Sequence, residues 1–160
     1  MLGSKAAIYR GAGGFQIGNA LMLDDGSASR LTRTFGTPTN SLRYTYSVWV
    51  KRANILTSRM FLLTGYSTSV LYGALEFSSD KFNYLYVSGG ATQHNIIPAK
   101  LWRDPADWMH VVRVFNAAQT DPNETQILYV DGVRLTDFTT FNPRPVGNSI
   151  VLNTAVPHSI

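Results

Sequence analysis

Asp107-Trp108-Met109-His110-Val111-Val112-Arg113-Val114, followed after a loop by Gln126-Ile127-Leu128-Tyr129-Val130-Asp131-Gly132-Val133, decides the fold. The first run alternates Met109, Val111, Arg113 and Phe115 with His110, Val112 and Val114, the period-2 signature of a strand. The second is apolar and ends in Asp131-Gly132, a pair suited to the positive backbone angles of a tight hairpin turn. Asn116 to Thr125, with Asp121, Pro122, Asn123 and Glu124, is a polar loop between them. Two neighbouring antiparallel strands follow from this pattern alone.

Working outward, the cleanest alternation is Tyr44 to Lys51. Tyr44, Tyr46, Val48 and Val50 form one face, and Thr45, Ser47, Trp49 and Lys51 the other. Strands are also expected over Arg30–Phe35, Met60–Thr64, Leu71–Phe77 and Phe82–Val87, with Ile150–Leu152 as a last short one. Leu21-Met22-Leu23 meets a turn at Asp24-Asp25-Gly26. Residues 91–106, with Pro98 and Pro105, read as a long polar connection, with a short helical turn near Pro105-Ala106-Asp107. Asn142-Pro143-Arg144-Pro145 reads as irregular. No stretch has a 3.6-residue pattern, and there are no repeats. Residues 1–18, with Gly3, Gly11, Gly13, Gly14 and Gly18, have no periodicity and read as a glycine-rich N-terminal arm.

Composition bounds the class. A chain of 160 residues with 44% hydrophobic and 15% charged content is globular and long enough for one core. Eight Tyr, eight Phe and three Trp favour sheet. The absence of cysteine removes disulfides, thiolate metal sites and Cys nucleophiles. No apolar run approaches the ~20 residues of a membrane span, so no membrane insertion is expected. The run Ala6-Ala7-Ile8 is stopped by Tyr9-Arg10, unlike a signal peptide. The net charge of +4 is spread, with only Lys51 and Arg52 adjacent. It reads as solubilising charge rather than a nucleic-acid surface.

Four segments in order resemble one family. Asn19 to Arg33 looks like its opening hairpin, Tyr46 to Arg52 like its "aromatic-Ser-x-Trp-Val-Lys" strand, and the Trp108 and Tyr129 strands complete the set. The chain thus resembles the laminin-G-like branch of the concanavalin A-like sandwiches. The fold expected is all-β, an antiparallel β-sandwich (jelly roll, concanavalin A-like), over residues 19–160. Leu31 to Asn40 followed by Trp49-Val50-Lys51-Arg52 is similar to a branch found in bacteriophage structural proteins. In that family a further strand follows the region of Ile150 to Ile160 and pairs back near the opening hairpin. The chain stops at Pro157-His158-Ser159-Ile160, so the resemblance implies a sandwich lacking its last strand. Truncation of a longer protein is the preferred explanation, and a strand lent by a neighbouring subunit the alternative.

The resemblance implies binding rather than reaction. Glycan hydrolases of this fold use a Glu-x-Asp-x-x-Glu strand to hold two carboxylates ~5 Å apart. Here the only glutamates are Glu76 and Glu124, and Glu76 is followed by Phe77-Ser78-Ser79-Asp80. No Gly-x-Ser-x-Gly elbow exists, and no enzyme activity is expected. Calcium occurs in laminin-G-like sandwiches. Asp24-Asp25, Asp104 with Asp107, and Asp121 are the candidates, but none forms a loop of alternating acids, so no metal and no cofactor is expected. Glycan contact needs exposed aromatic faces beside polar donors, for which Tyr66, Tyr72, Trp102, Arg103 and His94 are candidates. Trp49 and Trp108 are assigned to the core, His110 and Tyr129 to packing, and Asp131 and Gly132 to the turn. The function implied is a virion structural protein assembled in the host cytoplasm, a tail-fibre, spike or appendage component. Its partners would be other virion proteins, copies of itself and host surface glycan. A capsid decoration or head-fibre protein is the alternative, and a glycan hydrolase a distant third.

Overall fold

The computed structural model describes residues 19–23, 29–53, 55 and 59–160. The chain divides into two units, residues 1–30 and 31–160. In the first, the described residues form no regular element, and Leu21 and Met22 are exposed. The arm over 1–18 and the turn at Asp24-Asp25-Gly26 lie outside the described residues.

The second unit consists of two antiparallel sheets, the sandwich the resemblance implies. Its strands are β1 (Thr32–Thr34), β2 (Arg43–Val50), β3 (Met60–Thr68), β4 (Leu71–Ser78), β5 (Lys81–Ser88) and β6 (Ala91–Pro98). They continue as β7 (Met109–Asn116), β8 (Gln126–Val130), β9 (Val133–Arg134), β10 (Phe138–Asn142) and β11 (Pro157–Ser159). One sheet has seven strands in the order β1-β11-β3-β4-β5-β6-β10, and the other four in the order β2-β7-β8-β9. Between β8 and β9 the chain turns through Asp131 at φ 53° and Gly132 at φ 79°. That is the positive-φ pair a two-residue hairpin requires.

The two sheets meet in one core. Leu62, Leu75, Phe77, Phe82, Tyr84 and Ile96 come from the larger, and Met109, Val111, Phe115, Leu128 and Val130 from the smaller. Each fully buried side chain of this size contributes about 1.5–3 kcal/mol. On β7 the inward residues are Met109, Val111, Arg113 and Phe115, as the alternation predicts. An arginine therefore lies inside.

Four expectations are corrected. The connection read over 91–106 contains β6, whose Thr92, Gln93, His94 and Asn95 are polar, yet Thr92, His94 and Asn95 pair with β5 around an irregularity at Gln93. Phe138–Asn142, just before Pro143, is β10 and pairs with β6. Ile150–Leu152 is not a strand, because Val151–Asn153 is a turn of 3-10 helix. No helical turn forms near Pro105. Instead the Asp104 carboxylate accepts a hydrogen bond from the Ala106 amide at 2.8 Å.

The 3-10 turn has a specific seat. Gly65 and Gly73 face each other across β3 and β4, and Leu152 lies against them. A Cβ on Gly73 would meet Leu152 Cγ at 3.0 Å, and one on Gly65 would meet Leu152 Cδ2 and His158 Nε2 at 3.1 Å each. Two bare positions thus make the room for one leucine. Pro157–Ser159, read as the point where a missing strand should begin, is itself β11. It pairs with β3 through His158↔Gly65 and with β1 through Arg33↔His158.

Candidate functional site

Alternation sends half of each strand away from the core, so the two outward faces are where a ligand can be met. On the four-stranded sheet the register sets out three cross-strand rows. They are Trp49↔His110, Ser47↔Val112↔Tyr129↔Arg134, and Thr45↔Val114↔Ile127. Directly opposed residues share a face with their Cβ atoms about 4.5–5.5 Å apart. The rows therefore form one surface of aromatic, hydroxyl and cationic groups.

Its first row is a stack. The Trp49 and His110 rings lie 4.8 Å apart and 14° from parallel. His110 Nε2 is 2.8 Å from Ser47 Oγ, and the His110 amide donates to Asp131 Oδ1 at 2.8 Å. The hairpin turn thereby fixes the backbone that carries the imidazole. Trp49 keeps 41% of its surface exposed, and so does Trp108 just before β7. The assignment of both tryptophans to the core is corrected. Trp49 has the parity of Thr45 and Ser47, and that parity prevails over the tendency of a large aromatic to be buried. His110 packs on Trp49 and lies within hydrogen-bonding distance of Ser47. At the far end of the face Arg134 pairs with Glu124 at 2.6 Å.

The outward face of the seven-stranded sheet differs. Glu76 on β4 is 1% exposed. Arg59 grips it through Nε to Oε2 and Nη2 to Oε1, both at 2.9 Å, and Asn83 Nδ2 donates to Oε1 at 3.0 Å. The hydrogen bond to Glu76 raises the Arg59 pKa, as charge-assisted bidentate pairing does. Directly across from Glu76 on β5 is Asn83, not an acid. The next acid along that hairpin, Asp80, is held by Arg52 at 3.1 Å and Arg103 at 3.2 Å. Beyond Glu76, Ala74, Leu85 and Val87 form a small apolar cluster with Tyr72.

The five glycan candidates do not converge. Tyr66 and Tyr72 are cross-strand partners with ring centroids 6.5 Å apart, and Tyr66 is 50% exposed. Trp102 is buried, which corrects its reading as a sugar contact. Its ring meets Phe77 edge-on at 6.2 Å, its amide donates to Asp80 O at 2.8 Å, and its carbonyl accepts from Arg52 Nη1 at 2.5 Å. It anchors a loop. Arg103 is exposed beside Asp80 at the β4–β5 turn, the opposite end of β4 from Tyr72, roughly 20 Å along the strand. His94 faces the core side opposite Tyr86, 6.0 Å between rings.

Among the described residues no calcium cradle is built. Asp121 caps the 3-10 turn Pro122–Glu124 through Asn123 N at 2.8 Å, and Asp104 is engaged as above. Among the described residues no three His, Cys, Asp or Glu side chains gather as metal ligands. Asp24 and Asp25 lie outside those residues.

A family comparison agrees with this architecture. A laminin-G-type family model described as "Concanavalin A-like lectin/glucanases superfamily" matches residues 24–155. No curated protein matches the chain. Among solved structures the chain is similar to a native heptameric SAP-like pentraxin from Limulus polyphemus, at 11% identity and a TM-score of 0.43. The match covers 80% of this chain and only 65% of the pentraxin chain.

Proposed function

We propose that this chain, which belongs to the concanavalin A-like lectin/glucanases superfamily, is a non-enzymatic attachment module of a phage virion. In this reading it is part of a tail fibre, spike or other appendage and binds host surface glycan. The observation that carries the binding reading is the exposed Trp49–His110 stack on the four-stranded sheet. A sugar ring presents an apolar C–H face and a rim of hydroxyls. Trp49 offers the flat apolar surface, and Ser47 and Tyr129 stand in the adjoining row as hydroxyl partners. Such a contact is weak alone, and repeated copies on one particle would raise it by avidity.

Support for a non-enzymatic role comes from Glu76. Both of its oxygens are engaged by Arg59 and Asn83, whereas glycoside cleavage needs one carboxyl free to give a proton and a second free to attack or to activate water. Support for the phage setting is the resemblance carried by Leu31 to Asn40 and Trp49 to Arg52.

The test is a titration of the purified chain with bacterial surface polysaccharide fragments, read by tryptophan fluorescence. Saturable quenching is expected, weakened about tenfold in Trp49→Ala, with no new reducing ends released. Absence of binding across host polysaccharides, with tight capture of a virion protein, would replace glycan by a virion partner. Release of reducing ends that stops in Glu76→Gln would instead establish a hydrolase. Copy number in purified particles separates the appendage from a capsid decoration protein, which would be present in far greater number.

A further inference from the structure

Arg113 is the most unusual side chain in the sandwich. It projects from β7 into the space between the sheets and is 2% exposed. Its guanidinium carbon lies 3.7 Å from the centre of the Tyr84 ring, 5.2 Å from Tyr44 and 5.8 Å from Phe115. Nη2 donates to Gln126 Oε1. Arg113 forms no salt bridge among the described residues. Aromatic faces stabilise a desolvated cation, but by less than it costs to take an ion out of water. The cation is therefore under-compensated by the protein groups around it.

The groups left over share one chemical character. Arg113 Nη1, Gln126 Nε2, Tyr84 OH and Tyr44 OH are all buried, with no hydrogen-bond partner among the described residues. Two are pure donors, because Gln126 has turned its oxygen to Arg113, and the phenols can donate. Arg113, Gln126 and Tyr84 also line a cavity of about 10 Å³, together with Phe82, Leu128 and Phe138. That space holds a single small occupant and is too small for a phosphate or a sugar. A water placed there would accept from these donors and could give a hydrogen to a phenol oxygen, but it would leave the charge of Arg113 unneutralised. A monatomic anion accepts every donor, needs none in return, and neutralises the charge.

We propose that the inter-sheet cavity at Arg113 is a binding site for a single halide-sized anion, chloride in the cell, which completes the core of the sandwich. The site lies inside the molecule and is independent of the outward face assigned to glycan.

The test uses the full chain, melted at constant ionic strength while sodium gluconate is replaced by sodium chloride. Binding to the folded state alone raises the melting temperature with a single-site dependence, about 3–5 °C for each tenfold rise in chloride above the dissociation constant. Gln126→Glu places a carboxylate on Arg113 in nearly the same volume. It should melt higher in gluconate than the parent and lose the chloride dependence. Arg113→Met should lose that dependence too, and Gln126→Glu carries the test if the methionine variant does not fold. Bromide-soaked crystals should show an anomalous peak within hydrogen-bonding distance of Arg113 Nη1. Equal melting in chloride and gluconate, a chloride slope retained in Gln126→Glu, or no bromide peak would each overturn the assignment and leave at most a water.

Discussion

Glu76 and Arg113 are both buried charges of one sandwich, and they are treated in opposite ways. Glu76 lies on the outward face of the larger sheet, where a half-exposed Arg59 reaches over it and Asn83 fills the remaining acceptor site. Arg113 lies between the sheets with one amide oxygen, three aromatic rings and no carboxylate partner among the described residues. The first is a finished ion pair, chemically quiet because every lone pair in use is held. The second is a charge that burial disfavours, its pKa pushed well down by desolvation alone. Arginine starts so high that it stays protonated even so. A charge met by charge from the protein becomes structure, whereas one that is not becomes a site.

The sharpest way to break the contrast is Arg59→Ala. It leaves the Glu76 carboxylate buried with only Asn83, and removing one partner of a buried pair costs about 3–5 kcal/mol. Arg59 is half-exposed and water can enter in its place, so about 3 kcal/mol is expected, a fall of roughly 6–12 °C in melting temperature. Glu76→Gln should cost less, because Arg59 can turn to solvent. A larger loss in Glu76→Gln than in Arg59→Ala would show that the carboxylate is held mainly by something other than Arg59.

Arg113→Met, melted without halide, is expected to cost about 1–2 kcal/mol despite the complete burial of the side chain, most of it from stranding Gln126. The double variant Arg113→Met with Gln126→Leu should then return to within about 1 kcal/mol of the parent, because apolar groups of similar volume replace a buried polar pair at little cost. If the double variant is as unstable as Arg113→Ala would be from its cavity, about 3–5 kcal/mol, then Arg113 is compensated after all and the contrast with Glu76 fails.

How far the sequence foretold these two environments follows from what alternation can carry. It gives parity, so it set Arg113 with Met109, Val111 and Phe115 and set Trp49 with Thr45 and Ser47. Both placements hold, one against the habit of arginine and the other against the habit of tryptophan. Alternation fails where a strand's polarity comes from its position. β6 lies one place from the sheet edge and carries Thr92, Gln93, His94 and Asn95 in a row, so no apolar face marks it. β10 was hidden by the proline that follows it, and the three residues of β11 are too few to show a period. The Glu76 site was unreadable for another reason. Arg59 and Asn83 are seventeen and seven residues away, and only strand pairing brings the three together. The same applies to the aromatic cage, in which Tyr44, Tyr84 and Arg113 come from three strands of two sheets.

His94 is the intermediate case, and it gives the finest test. It is half-buried on β6 near Tyr86, and unlike arginine it can shed its charge. Burial lowers its pKa below the ordinary 6.5 and the positive charge of Arg144 lowers it further, while contacts with Asn142 and Pro143 oppose the shift. The sign of the consequence is fixed by linkage. With the folded pKa below the unfolded one, the unfolded chain binds more protons between the two values. His94 therefore contributes its stability in full above about pH 6.5, and loses it as the pH falls from there through the folded pKa. The chain has two other histidines, His110 and His158, so the quantity to measure is the difference between the parent and His94→Asn, melted from pH 8 to pH 5. The parent should lose slightly more on acidification, about 1 °C or less given the solvent screening of a partly exposed ring. A variant that loses more than the parent would mean that protonated His94 is held by an acceptor stronger than Asn142. It would then belong with Glu76, among the charges the fold has already met.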